Sequence, residues 1–330
     1  MRLNRSIAAL LAALLLAAPA AANDSVASMG AGGLVLQRTD GIEMRSEDLY
    51  VSAAEIRVNY RFYNRTARNI ATIVAFPMPD LAGGIESDVA LEDPLRMPFR
   101  TTINGRSVAT NVEQKAVLNG VDHSGLIRGL GLPLSPRGDA TTRAMLSLPQ
   151  PQIEMLIELG LAEDRSWFDA GVRHAEFAPL WTLKTTHYWT QVFPAGRELD
   201  VRHRYAPAIG GSSGSVFGDA LMESSEAANE AATHYCTDDA FWAGARRMRS
   251  RGLHLSETWV DYILTTGANW AEPIGEFRLV VDKGSSRNLV SFCGEGVRRI
   301  NSTRFEIRRR NYTPTGDLSL LILTGTRIED

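Results

Sequence analysis

The chain is poor in cysteine, with Cys236 and Cys293 its only two in 330 residues. No histidine motif accompanies either, so nothing marks a catalytic thiol. A phosphate loop, a dinucleotide fingerprint and an HExxH pair are all missing, and those nucleotide and zinc-peptidase chemistries have no support. Basic charge is not in excess either: the formal charge is −3, and it falls further if Arg2 and Arg5 are removed, which argues against nucleic acid as a partner. After residue 22 no apolar run reaches the ~20 residues that cross a bilayer, since 70–76 and 318–323 are strand-sized. Stable membrane insertion is not expected. There is no strong internal repeat.

What the chain does have begins at its first residues. Arg2 and Arg5 precede an apolar run from Ile7 to about Ala18, and Ala20-Ala21-Ala22 closes it with small residues. This is the pattern of a secretory leader at 1–22, cleaved after Ala22. No twin arginine and no lipoprotein cysteine accompany it. In an oxidising compartment two cysteines favour one disulfide, Cys236–Cys293, over two separate buried thiols. Closing that loop constrains the unfolded chain by about 4 kcal/mol in the chain-entropy treatment.

Strand patterns dominate the remainder. Ile56, Val58, Tyr60 and Phe62 alternate with Arg57, Asn59 and Arg61, as in a half-buried strand. Residues 70–76 read as a strand returning from it in a hairpin, ended by Pro77 and Pro79. Asn104-Gly105 marks a second hairpin, because a type I′ turn needs positive φ at both central residues. Between 112 and about 175 the spacing of Ile153, Leu156, Ile157 and Leu159 predicts a helical insert. Strands at 181–193 and 199–205 are expected to pair with each other.

Gly210-Gly211-Ser212-Ser213-Gly214-Ser215 reads as a flexible linker, followed by a helix that Thr237 can cap and Gly252 stops. Five further strands are expected at 259–265, 276–282, 289–293, 304–310 and 318–323. The predicted fold is mainly β: two antiparallel β-sandwich domains with helical insertions, α+β overall. Its expected units are 23–209 with the insert, 210–256 with the Gly/Ser linker and helices, and 257–330.

Several phrases resemble one family of exported bacterial proteins. They are Asn23-Asp24-Ser25-Val26-Ala27 with Gly32-Gly33-Leu34, Met44-Arg45-Ser46-Glu47-Asp48-Leu49-Tyr50, Val74-Ala75-Phe76-Pro77-Met78-Pro79 and His203-Arg204-Tyr205-Ala206-Pro207. Tyr262-Ile263-Leu264-Thr265-Thr266-Gly267-Ala268-Asn269-Trp270 and Val290-Ser291-Phe292-Cys293-Gly294 complete the set. The family is domain-of-unknown-function family 4424, and the resemblance spans nearly the whole chain after the leader. It implies a periplasmic, mostly β protein and carries no catalytic residue over. The order Tyr60-Arg61-Phe62-Tyr63-Asn64, Phe76-Pro77-Met78-Pro79 and the Asn104-Gly105 hairpin is also similar to the front β-sandwich of inter-alpha-trypsin inhibitor heavy chains. That likeness concerns fold alone.

Three constellations could carry chemistry. His187, Tyr188, Trp189, His203 and Tyr205 cluster on the two strands expected to pair, and form the candidate binding site. The two imidazoles lack the third ligand that zinc wants, so no metal is expected. Gly210-Gly211-Ser212-Ser213-Gly214 fits the spacing of a nucleophile elbow, with Asp219, Asp238 and His254 as conceivable partners, but its surroundings read as linker. Arginines 246, 247, 249 and 251, and 308 to 310, could receive an anionic headgroup or glycan, or form solvated faces.

The leading expectation is a non-enzymatic periplasmic binding or structural protein that meets another envelope protein or a polymer, without a cofactor. The alternatives are a periplasmic hydrolase using Ser212 or a His-centred site, and an adhesive or assembly module.

Overall fold

The computed structural model describes residues 23–30, 33–84 and 98–327. The expected leader at 1–22, with its expected cleavage point after Ala22, lies outside the described residues. The fold is mainly β, with sandwich-like layers and helical insertions. Three sheets carry it, of seven, eight and four strands.

The seven-stranded sheet centres on Thr182–Phe193, flanked by Ile70–Pro77 and Asn111–Leu118, and continues from Ile70–Pro77 to Ser25–Gly30 and Gly33–Gln37. At the heart of the eight-stranded sheet lie Ile42–Ser52, Ile56–Asn64 and Glu198–Tyr205. Arg100–Ile103 and Arg106–Val108 extend one edge as the expected hairpin, with Asn104 and Gly105 at φ 48° and 78°. On the other side Ile274–Asp282 pairs in parallel with Ile42–Ser52, and Arg304–Tyr312 follows it. This sheet is therefore mixed rather than antiparallel, and it runs across the boundaries expected at 209/210 and 256/257. The four-stranded sheet joins Ile209–Ser212, His254–Tyr262, Leu318–Thr326 and Leu289–Phe292.

Two expected pairings are replaced. Ile56–Asn64 and Ile70–Pro77 do not form a hairpin, and Thr182–Phe193 does not pair with Glu198–Tyr205; in each case the two strands belong to different sheets. The connections between them are corners, and they lie side by side. Asn64 is wholly buried there, and its amide donates to Phe193 O at 2.8 Å and Arg68 O at 2.7 Å. Gly196 N donates back to Asn64 O at 3.0 Å. Alternating hydrophobicity reports a half-buried strand but not its neighbour, and a short polar connection serves a corner as well as a hairpin.

One core cluster draws on all three sheets: Phe62, Leu49 and Leu279 from the eight-stranded, Phe76, Trp189 and Phe193 from the seven-stranded, Tyr262, Leu320 and Ile322 from the four-stranded. The helices of the insert, Ser124–Gly129, Asp139–Leu146 and Gln150–Glu158, cover a second cluster around Trp181, Leu183 and Leu156. The insert begins later than expected, because 111–118 is a strand that pairs with Thr182–Phe193. A third cluster lies under helix Asp239–Arg249 and holds Phe217, Phe241, Leu321 and Leu323. The run 318–323, apolar but for Ser319, is thereby explained: Leu318, Leu320 and Ile322 face one core and Leu321 and Leu323 another, so both sides of that strand are buried.

The expected Gly/Ser linker is partly a strand. Ile209–Ser212 pairs with His254–Tyr262 from Ile209↔Val260 to Ser212↔Glu257. A Cβ on Gly210 would lie 2.9 Å from the Trp259 ring, and one on Gly211 2.7 Å from Glu257 O, so these glycines permit close strand packing. Helix Asp239–Arg249 forms as expected with a shifted cap: Asp238 Oδ1 accepts from Phe241 N at 2.7 Å. Thr237 Oγ1 instead accepts from Trp242 Nε1 at 3.0 Å. Cys236 and Cys293 are joined, as expected, across 57 positions of sequence. No helix among the described residues is long and apolar enough to cross a membrane.

Candidate functional site

Four of the five residues expected to bind a ligand meet in the core, although their strands do not pair. His187 and Trp189 come from the seven-stranded sheet, His203 and Tyr205 from the eight-stranded one, and all four are buried. Tyr188 is half-buried, on the opposite side of its strand from His187 and Trp189. The Phe99 ring stacks on both imidazoles, 4.0 Å from His187 and 5.1 Å from His203. His203 is held at both nitrogens: Nδ1 lies 2.9 Å from Thr101 Oγ1 and Nε2 3.1 Å from Asp24 Oδ1. Burial, and then the neighbouring His203, pull the His187 pKa down to about 4, so its imidazole is neutral at pH 7. These side chains pack as an aromatic core.

Ser212 ends its strand, and the next helix, Glu226–Tyr235, starts well beyond it. A nucleophile elbow needs that helix directly after the serine. Ser212 Oγ accepts instead from Gly214 N at 3.2 Å, and the His254 Nε2 contact is to Ser213 O. Of the first arginine run, Arg246 pairs with Glu223 at 3.0 Å and Arg249 Nε donates to Phe217 O at 3.0 Å, so both brace the helix against the preceding loop.

The outer face of the eight-stranded sheet carries a different constellation. Alternation turns Val58, Tyr60, Val201 and His203 inward and sends Arg57, Asn59, Arg61, Arg202 and Arg204 outward. Cross-strand register then sets Arg100 opposite Arg204, Arg204 opposite Arg57, and Arg57 opposite Tyr50. Three guanidiniums follow one another across three strands. Like charges directly opposite one another oppose sheet stability, each pair by up to about 1 kcal/mol.

Glu55 is shared by Arg57 at 3.2 Å and Arg204 at 2.6 Å. Among the described residues Arg100 has no carboxylate at ion-pair distance. Tyr50 lies beneath Arg57, 4.2 Å from its ring, with Arg304 at 5.5 Å. A groove of about 520 Å³ runs over this row and is also lined by Thr102, Asn59 and Arg278. Lysine occurs only at 115, 184 and 283, so the face is built from guanidiniums, which bind carboxylate and phosphate in a planar two-point fork.

At the groove's far side the buried Glu306 carboxylate takes three arginines: Arg308 at 3.0 Å, Arg278 at 2.8 Å and Arg298 at 2.5 Å. Hydrogen bonds from Arg308, then Arg278 and Arg298, hold its pKa down to about 2. A carboxyl depressed on folding adds stability that is complete above its unfolded value, near 4.5, and is lost as pH falls toward 2. These arginines are largely open to solvent, and screening reduces the contribution to about 1–2 kcal/mol. Urea unfolding at pH 7 and pH 3 should show the wild type losing somewhat more than half of that amount beyond the loss of Glu306→Gln, since pH 3 lies between the folded and unfolded values; parallel losses would contradict it.

Sequence alternation separates Arg57 and Arg61 from the buried side of their strand, but it assigns no side to Arg202 or Arg204 and does not reveal the row. Alternation was the available signal. Only register between strands distant in sequence turns alternating arginines into one surface.

A family model described as a domain of unknown function, DUF4424, matches residues 22–321. No curated protein matches the chain. Among solved structures it is similar to a Legionella pneumophila protein provisionally named a nutrient binding protein, at 16% identity and a TM-score of 0.43, covering 92% of this chain and 70% of that one. It is also similar to a variant of an M1 zinc metallopeptidase from Deinococcus radiodurans, at 7% identity and a TM-score of 0.20, covering 87% of this chain and 43% of that one.

Proposed function

The chain belongs to the DUF4424 family, and from that premise we propose that it is an exported, periplasmic binding protein whose arginine-faced groove holds an acidic polymer of the cell envelope. One observation carries the reading: Arg100, Arg204 and Arg57 stand in successive register on the outer face of one sheet, over a groove of about 520 Å³. Such a row costs stability when empty, and a ligand bearing carboxylates or phosphates at intervals relieves it. Thr102 and Asn59 add neutral hydrogen-bonding groups to the same groove, which suits hydroxyls between the charges. The export reading is supported by the leader pattern at 1–22 and by the joined cysteines.

Isothermal titration with polygalacturonate and with inorganic polyphosphate tests the groove and separates carboxylate from phosphate recognition. Binding should weaken as salt rises and should fall about 100-fold in the triple variant Arg57→Ser, Arg100→Ser, Arg204→Ser, since ion pairs on a solvent-exposed face contribute up to about 1 kcal/mol each. These side chains are exposed, and relief of their mutual repulsion offsets the lost Glu55 pairs, so the variant should melt at or above wild type. Failure of both polymers to bind at low salt, or equal binding by the triple variant, would remove the proposal.

A further inference from the structure

Asn23 is the first described residue, and it is wholly buried together with Asp24 and Ser25. Its backbone is gripped at both ends by one hydroxyl: Asn23 N donates to Thr266 Oγ1 at 2.5 Å, and Thr266 Oγ1 donates to Asn23 O at 2.7 Å. The asparagine side chain is engaged as well. Nδ2 donates to Glu47 Oε2 at 3.0 Å, and Oδ1 accepts from Asp24 N at 3.1 Å and from the Tyr60 hydroxyl. Gly267 makes the space, since a Cβ there would lie 2.9 Å from Asn23 Nδ2. Trp270 Nε1 closes the far side by donating to Asp24 O at 2.8 Å.

This cluster is short of positive charge and of donors. Glu47 Oε1 and Asp24 Oδ2 are buried and have no hydrogen-bond partner. The other titratable groups around them are Tyr60, Tyr262, Tyr205 and Tyr312, which are neutral at pH 7, and His203, already committed to Asp24 Oδ1 and Thr101; the Tyr262 hydroxyl, 3.0 Å from that of Tyr60, is a neutral donor on the Glu47 side and brings no positive charge. Burial drives the Glu47 pKa up to about 8, and the nearby Asp24 adds to the rise. Carboxylate oxygens left unpaired in a core are costly, and a native protein that keeps them there normally supplies a partner.

We propose that the partner is the α-ammonium group of Asn23, released when a leader peptidase hydrolyses the Ala22–Asn23 bond, so that removal of the leader completes this buried cluster. Water adds across the peptide bond: the Ala22 carbonyl carbon takes the hydroxyl and Asn23 N takes the hydrogen. The new carboxyl group gives up a proton and the new amine binds one. The amide nitrogen has a single hydrogen, already given to Thr266 Oγ1; the ammonium has three, and its two additional donors are available to the unpaired oxygens of Glu47 and Asp24. Burial alone keeps Glu47 largely protonated at pH 7, and an ammonium beside it is the counter-charge that lets the carboxyl ionise, so the two charges enter the core as a pair.

The proposal rests on reading 1–22 as a removed leader and is independent of the groove, whose failure would show as lost polymer binding with this cluster intact. The test uses the full chain, exported with its leader and recovered as processed protein. Amine acylation with an N-hydroxysuccinimide ester, read by mass spectrometry of the terminal peptide, has only three lysines to resolve besides the α-amine. The terminus should be Asn23, and its acylation in the folded protein should be slowed about 100-fold or more against the urea-unfolded protein.

A precursor carrying Ala20→Leu and Ala22→Leu, which resists cleavage, should melt about 5 °C or more below the processed protein. In a Glu47→Gln background that gap should shrink. If Glu47→Gln fails to fold, acylation of the wild type decides alone. A terminus other than Asn23, an α-amine that reacts as fast folded as unfolded, or a precursor that melts with the processed protein would overturn the proposal.

Discussion

Replacing Trp270 with alanine is expected to lower the free energy of unfolding by about 4–6 kcal/mol, a large share of the whole for a chain of this size. The indole is 1% exposed, and its ring lies 4.4 Å from Phe62 and 6.3 Å from Phe193. It thus touches two sheets while following the short Thr265–Asn269 turn in the C-terminal part of the chain. Truncation removes the largest type of apolar side chain from a site with rigid β-sheet walls, which collapse poorly into a cavity. It also strips Asp24 O of its donor, and a buried carbonyl so orphaned adds about 1 kcal/mol or more. Guanidinium unfolding measures the change. Trp270→Phe should recover roughly half of it, because a phenyl ring refills part of the space without the N–H. A loss below about 2 kcal/mol for Trp270→Ala would mean that the N-terminal strands and the 265–270 segment do not share a core.

The fold class was legible because alternation and turn chemistry are local. The strand at 56–64 shows its buried side in Ile56, Val58, Tyr60 and Phe62, and Asn104-Gly105 states its turn in two residues. What escaped was association at a distance. Nothing local at 274–282 reveals that this strand lies parallel to 42–52, more than two hundred positions away. The two missed pairings share one cause: Asn64 and the residues 194–197 look like turn formers, and they serve as adjacent corners between layers. Gly210 and Gly211 misled for a related reason. A glycine pair signals freedom in an isolated chain, whereas here it marks the close approach of Trp259 and Glu257.

The candidate site divided in the same way. Sequence reasoning grouped His187, Trp189, His203 and Tyr205 correctly in space but for the wrong reason, since they meet across layers around Phe99 rather than across a hairpin. Aromatic and imidazole side chains furnish cores as readily as pockets, and composition does not separate the two uses. The arginine row needed the register of strands 100–103, 198–205 and 56–64 before it became a surface. Asn23 and Asp24 belong to a phrase that carries the family resemblance, but nothing local in them signals burial. Two polar residues at the expected start of a processed chain read as a solvated end, and only their partners on 47, 60, 203, 266 and 270 reveal a buried anchor.

Removing the Cys236–Cys293 bond is expected to cost about 3–4 kcal/mol, and the cost should arise almost entirely in the unfolded chain. The bond closes a loop across 57 positions, for which loop-closure entropy gives about 4 kcal/mol. The folded side has reasons to stay in place without it. Helix Glu226–Tyr235 ends at Cys236 in the left-handed conformation, φ 51°, and Ser291 Oγ donates to Tyr235 O at 2.9 Å and to Cys236 O at 3.2 Å. Leu289, beside that strand's start, packs into the cluster of Phe217 and Phe241. Those contacts hold the helix end against the four-stranded sheet whether or not the sulfurs are joined. Cys236→Ser and the double variant with Cys293→Ser should therefore lose the same stability. Both should show a steeper dependence on urea than wild type, because the unconstrained unfolded chain exposes more surface. Thiol titration of unreduced wild type should find no free sulfhydryl, and Cys236→Ser should expose one. A loss near zero with an unchanged urea slope would place the constraint in the Ser291 contacts and the helix packing, leaving the covalent bond redundant.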